Sequence, residues 1–171
     1  MEKVADYLKE DLDILFVGFN PSIRSGNIGH HFAHPSNRFW TILEKTKLTP
    51  RKLHPTEDYK LLDFNYGLTN IVSRPTKGAE DIAKEEYKEG REELRRKIKK
   101  FKPKIACFVG KGVYQEYRNE RKIPWGIQGK GVVEGTIDFV APSSSGLVRM
   151  SLEDIVAIYG ELNHILKHLH S

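Results

Sequence analysis

The feature that most constrains this chain is the run ILFVGF at residues 14–19, which passes straight into a polar loop and then into a helix signal. Only Gly18 interrupts its apolar side chains. A run this short, rich in β-branched and aromatic residues, predicts a buried strand. The sequence NPS follows at 20–22, then a loop with Gly26, Gly29 and the pair His30 and His31. Pro35 and Ser36 open a helix through Arg38, Phe39 and Trp40. Open α/β sheets place their ligands where a strand ends in such a loop. Polar and aromatic residues are concentrated there, so candidate chemistry is sought there first.

The rest of the chain repeats the alternation. Residues 3–10 predict a short helix leading into the first strand. Ser36 is the expected N-cap of a helix reaching about Thr46, with Phe39, Trp40 and Leu43 at helical spacing on its buried face. A second helical patch opens at Thr49 and Pro50 and continues over 57–64, and the NYG at 65–67 breaks it. A brief strand is expected at 69–72, then the polar loop SRPTKG at 73–78. A long charged helix spans 79–100, with Gly90 as a potential interruption and Pro103 as its stop. Residues 105–109 form the second clear buried strand, and GKG at 110–112 turns into a helix ending near Tyr117. Residues 119–131 look like loop. Short strands are expected at 132–133 and 137–141, followed by a second polar loop, PSSSGL, at 142–147. Ser151 and Glu153-Asp154 resemble a capping box for a last helix to about Leu169. Strands separated by helices indicate one α/β domain, residues 1–171, with a largely parallel sheet.

Composition narrows the partners. Lys and Arg number 28 against 23 Asp and Glu, a net charge of +5, compatible with a polyanion. No apolar run approaches the roughly 18 residues of a membrane span, and residues 1–13 carry too many charges for a signal peptide. The single Cys107 excludes an internal disulfide and a cysteine-ligated metal cluster. A reducing compartment is the default expectation.

Several residues carry two readings on pattern alone. Asn20 can hold a water or read a base edge, and can equally stabilise the turn before Pro21. Phe32 can stack on a flat ligand or pack in the core. Ser143, Ser144 and Ser145 can donate to phosphates or form a polar turn. Leu147 is an apolar residue in a loop of serines and glycine, able to wedge into a base stack or fold back inward. Arg24 and Arg149 can contact phosphate or stay solvated. The eight basic residues within 91–104 suit the solvated face of a helix whose buried side is Leu94, Ile98 and Phe101. His164 and His168 suit a helix C-terminus better than zinc. The GKG at 110–112 lacks the glycine five residues earlier that a Walker A loop requires.

Three blocks together carry a resemblance. GFNP at 18–21, GHHF at 29–32 and AHPSNRFW at 33–40 resemble the first motif of the mismatch-specific uracil/thymine DNA glycosylases, within the uracil-DNA glycosylase superfamily. GLTNIVSRPT at 67–76 is similar to that family's middle block, and PSSSGLVR at 142–149 with SLE at 151–153 to its second motif. The resemblance covers roughly residues 12–168. It implies a three-layer α/β/α sandwich with a mostly parallel central sheet, in a single glycosylase domain.

The implied activity is that of a monofunctional hydrolase of the N-glycosidic bond of uracil, with thymine or other damaged bases as further substrates, opposite guanine in double-stranded DNA. The nucleotide would be extruded from the helix. By resemblance Asn20 positions the attacking water and Thr76 helps to hold it. Backbone amides near Phe19 and Phe32 face the departing base, Phe32 stacks on it, and Asn70 reads its polar edge. Ser22, Ser25 and His31 complete the base pocket. Ser22 stands where the family usually has glycine, and Ser25 falls beside C5 of the pyrimidine. Ser143 and Ser145 would grip flanking phosphates, and Leu147 would fill the vacated stack beside Gly146 and Arg149. No metal and no cofactor are implied. A monomer is expected, without membrane contact, at the nucleoid in the cytoplasm of a prokaryote or in the nucleus of a eukaryote. Two alternatives stay open: a glycosylase for deaminated purines such as xanthine or hypoxanthine, and a non-catalytic module that binds damaged DNA.

Overall fold

Alternate residues of the apolar runs face opposite sides of one sheet, and each side is covered by helices. The computed structural model describes residues 4–171. Its sheet contains β1 (Ile14–Gly18), β2 (Tyr66–Asn70), β3 (Ile105–Val109), β4 (Gly126–Ile127) and β5 (Ile137–Ala141) in the order β2-β1-β3-β5-β4. The first four of these neighbours run parallel, and β4 pairs antiparallel to β5. Phe16, Cys107 and Phe139 face one side, where α2 (Phe39–Lys45) and α5 (Leu152–His170) contribute Phe39, Leu43, Tyr159 and Leu162. Val17, Phe108 and Val140 face the other, against Leu94 and Ile98 of α3 (Lys84–Phe101) and Tyr114 and Tyr117 of α4 (Lys111–Arg118). Burial on both faces is why these strands show no polar alternation. The architecture is the expected α/β/α sandwich with a mostly parallel sheet.

The chain leaves β1 for β2 on one flank and later returns to β3 on the other. The crevice beyond the C-terminal ends of β1 and β3 is therefore a topological switch point, where open α/β sheets hold ligands. Loops from four of the strands converge there.

Several expected boundaries move. Of residues 3–10, residue 3 lies outside the described residues, and no helix forms over 4–10; instead Tyr7 bridges Leu68 antiparallel. Exchange of two backbone hydrogen bonds with Leu68, at 2.9 and 3.0 Å, replaces the helical ladder. The loop after β1 contains an unexpected helix, α1 (Ile23–Ile28). Ser22 caps it by accepting from Ser25 N at 3.0 Å, and Gly29 ends it at φ 75. Ser36 caps nothing: α2 starts at Phe39, whose amide donates to Asn37 Oδ1 at 3.0 Å, while Ser36 Oγ bonds His34 Nδ1 at 2.8 Å. The second helical patch is a 3-10 helix, Pro55–Phe64, capped by His54.

β2 begins at Tyr66, inside the expected break, because the left-handed Asn65 turns the chain directly into the sheet. Residues 71–72 fall beyond it. Residues 79–81 form a separate short 3-10 turn before α3. Gly90 does not interrupt α3. A Cβ there would clash with the carbonyl oxygen of Ile71, so glycine lets the helix touch that backbone. Residues 132–133 are not a strand. Val132 N donates instead to the side chain of Asp138 at 2.9 Å, while residues 126–127 form β4. Lys97 of the basic run pairs with Asp6 and Lys104 with Asp13, as suits a solvated helix face.

Candidate active site

Asn20 follows β1 at the switch point. Its Nδ2 donates to Arg74 O at 2.8 Å and to Thr76 Oγ1 at 2.8 Å. Both amide protons are thereby used, and the two acceptors identify which end of the amide is nitrogen. Oδ1 is left as an acceptor for a ligand. Thr76 Oγ1 in turn donates to Gly78 O at 2.8 Å, and Thr76 N donates to Pro21 O at 3.2 Å. The 73–78 loop is thus laced to the loop after β1, and Ser22 bridges Thr76 in parallel. Asn20 and Thr76 come together from 56 residues apart.

A cavity of about 170 Å³ opens beside Asn20. Phe19, Asn20, Ser22, Ser25, His31, Phe32, Asn70 and Ser143 all line it, so all six base-pocket residues expected from sequence share one space. Asn70 ends β2 directly opposite Gly18. A Cβ on Gly18 would lie 2.7 Å from Asn70 Oδ1, so the glycine makes room for that amide. Ser25 is buried and both acceptor sites of its hydroxyl are used, by Ala33 N at 3.1 Å and by Ser22 Oγ at 3.1 Å. It braces the cavity floor.

Phe32 is half-buried and sits at φ 50, a left-handed backbone for a bulky residue. Its ring stacks on Phe39 with centroids 4.1 Å apart and planes at 19°. The preceding turn is held by Asp58, a fully buried carboxylate that accepts from His31 N at 2.8 Å and pairs with His30 Nδ1 at 3.1 Å. Burial by the same turn, with help from Asp58, pushes the Tyr7 hydroxyl up to about 12.

His31 is buried, with Nε2 donating to Ala5 O at 2.6 Å. Burial holds its pKa below the ordinary 6.5, overriding the opposite pull of Ala5 O and of Asp58 and Asp6. A neutral ring protonated on Nε2 follows. Unfolding frees His31 to take up a proton below about pH 6.5 that the folded site refuses, so this residue removes stability as pH falls from there towards its lower folded pKa. In urea titrations the stability lost between pH 7.5 and 5.5 is expected to shrink in His31→Gln; equal losses would assign the acid sensitivity to other groups.

The second polar loop follows β5. Tyr159 Oη donates to Pro142 O at 2.6 Å and fixes its start. Arg38 ties it to the first motif, donating from N to Ser144 O at 2.8 Å and from Nη2 to Ser145 O at 3.1 Å. Ser143 Oγ accepts from Ser145 N, and Ser145 Oγ accepts from Leu147 N, both at 3.2 Å, which leaves each hydroxyl proton free to point outward. Gly146 lies against Ser36, whose carbonyl oxygen would be 2.7 Å from a Cβ there. Leu147 is 92% exposed and Arg149 is exposed. Ser145, Gly146, Leu147 and Arg149 do not line the cavity; they follow Ser143 and Ser144, which do.

Sequence reasoning assigned no role to His34, Asn37 or Val109, which also line the cavity. The first two stand in a quoted motif, and Val109 is the last residue of an expected strand. Arg38 stands in the same motif without an assigned role, and Asp58 carries no local pattern that distinguishes it from a solvated charge. A larger cavity, about 720 Å³, is an open groove along residues 127–137 with no aromatic wall and none of these groups.

A doubly wound sheet with a polar, aromatic-walled cavity at its switch point defines an α/β fold with its cavity where such sheets hold ligands. The chain matches the uracil DNA glycosylase superfamily over residues 5–167, and it belongs to that superfamily. Its fold is similar to the solution NMR structure of a candidate uracil DNA glycosylase from Methanosarcina acetivorans, with a TM-score of 0.60, 21% identity, and coverage of 95% of this chain and 98% of that one. Membership supports a hydrolase of N-glycosyl bonds that acts on DNA.

Proposed function

We propose that this chain is a monofunctional, mismatch-directed glycosylase of the uracil/thymine branch, removing uracil opposite guanine from double-stranded DNA. One observation carries the reading: the Asn20 amide is locked by Arg74 O and Thr76 Oγ1 so that only Oδ1 is free. An acceptor held in this way orients a water for attack at C1′. An amide cannot accept the proton as a carboxylate does. The C1′–N1 bond must therefore break early, its electron pair passing to the base, before the water oxygen bonds to C1′ and releases its proton to solvent. Donors placed where charge develops on the departing base would stabilise it.

The flipped pyrimidine would lie on Phe32, itself braced by Phe39, with Asn70 at its polar edge. Ser143 and Ser145 have hydroxyl protons free for phosphate oxygens. Leu147 is the exposed apolar tip that would take the vacated place in the stack. A G·U or G·T mismatch lowers the cost of extrusion, which amounts to a few kcal/mol for a paired base.

The test is single-turnover cleavage of duplexes containing G·U, G·T and G·xanthine, and of single-stranded U. Cleavage with G·U leading is the expected result. Xanthine leading would move the substrate to deaminated purines. Tight binding of mismatched duplex without cleavage would replace the enzyme with a damage-binding module.

A further inference from the structure

Beside the base cavity lies a second one, of about 510 Å³, sharing Phe32, His34 and Asn37 with it. Its floor is apolar: Ile28, exposed at 45%, stands at the rim, with Trp40 and Leu53 beneath. Its polar rim groups are cations and donors, with the single carboxylate Glu57. Among the described residues Arg24 and Lys52 make no ion pair or hydrogen bond, and both are exposed on this cavity.

The two histidines on the rim are fixed by their neighbours. Ser36 N donates to His34 Nδ1 at 3.1 Å, and Thr56 N donates to His54 Nδ1 at 3.2 Å. Each Nδ1 is thus an acceptor, so each neutral ring carries its proton on Nε2 and has that donor to spare. The one carboxylate on the rim, Glu57, is already occupied. Arg51 grips it at 3.0 and 2.6 Å and Lys60 at 3.0 Å, which hold its pKa well below the carboxylate range. The cavity therefore pairs an apolar floor with an uncompensated positive rim. That is the chemistry of a nucleotide: an aromatic base that stacks and a phosphate that accepts.

We propose that this cavity is a second nucleotide subsite, recognising a nucleoside monophosphate unit next to the one in the base cavity. The shared wall of Phe32, His34 and Asn37 makes the source a neighbour of the flipped nucleotide on the same strand. A free nucleotide offers the same groups. The proposal rests on the glycosylase reading for that choice of source.

The experiment uses the full chain, wild type, Arg24→Glu and Lys52→Glu. Both residues are exposed, so the variants are expected to fold, which circular dichroism checks. Uracil-containing strands are truncated on the 5′ or the 3′ side of the lesion and annealed to a full complement. Kd is read by fluorescence anisotropy, and KM and kcat by cleavage. The expected result is a rise of about tenfold in Kd and KM for the duplex retaining one flank, little change for the duplex lacking it, and kcat unchanged, a loss consistent with one or two phosphate contacts. A second arm titrates deoxynucleoside monophosphates into the wild type by NMR. Shifts at Ile28 and Trp40 that vanish in Lys52→Glu, without flank dependence, would keep the subsite and assign it to the free nucleotide. Equal loss on every duplex, or no response in either arm, would overturn the subsite. Absence of cleavage by the wild type would defeat the glycosylase reading alone, because the anisotropy and NMR arms do not require turnover.

Discussion

Asn20→Ala is expected to lower single-turnover cleavage of a G·U duplex by at least about 10²-fold, while Kd for the same duplex stays within about twofold, since the proposed contact to the water acts in the transition state and the lost ties to Arg74 O and Thr76 Oγ1 lie within the protein. The amide lies at the end of a rigid path. β1 is fully buried, its last residue Gly18 is paired with Asn70, and the amide that follows is pinned at two points. On the proposed reading, removing it takes away the water's acceptor, while Phe19, Phe32 and Asn70 still line the cavity. Thr76→Ala is expected to cost less, roughly tenfold, because Arg74 O still holds one amide proton. Thr76→Ser should recover most of the activity, since the hydroxyl that accepts from Asn20 and donates to Gly78 O is retained. If Asn20→Ala cut binding and cleavage in equal measure, the residue would be a contact to DNA and not the holder of the water.

Much of the site was legible because its residues lie in short loops directly after buried strands. Residues 14–18, 105–109 and 137–141 announce themselves as apolar runs, and a parallel sheet brings their C-terminal loops to one edge. Asn20, Phe32 and Ser143 had to meet once that topology held. Their grouping with Thr76 came from the resemblance, because the hydrogen bond spans 56 residues that no local periodicity connects. Helix α1 was not legible, since its six residues, Gly26 among them, lack an apolar stripe and its stability comes from the Ser22 cap. Asp58 was opaque for the opposite reason: a carboxylate in a charged stretch signals solvent, and only the folded chain shows it at zero exposure beneath the His30–His31 turn.

Asp58 is where the second large effect is expected. Asp58→Ala should destabilise the fold by about 3–4 kcal/mol, because it strands a buried backbone N–H at His31 and the ring nitrogen of His30 without an acceptor. For a domain of this size that corresponds to a fall in Tm of roughly 6–16 °C. Asp58→Asn keeps the shape and one acceptor oxygen but turns an amide N–H₂ towards one of those partners, so about half the loss is expected. The effect should also reach the cavity. Phe32 holds its left-handed backbone, a conformation costing about 1–2 kcal/mol in a residue with a side chain, directly after the turn that Asp58 clamps. Once the clamp is gone, the ring is free to leave Phe39. Cleavage at a temperature where the variant remains folded is therefore expected to fall about tenfold, through loss of an aromatic stacking surface worth ~1–3 kcal/mol per base. Phe32→Leu should produce a similar fall in cleavage with little change in Tm. A variant of Asp58 that loses stability but cleaves at the wild-type rate would separate the clamp from the base pocket and make Asp58 a purely structural charge.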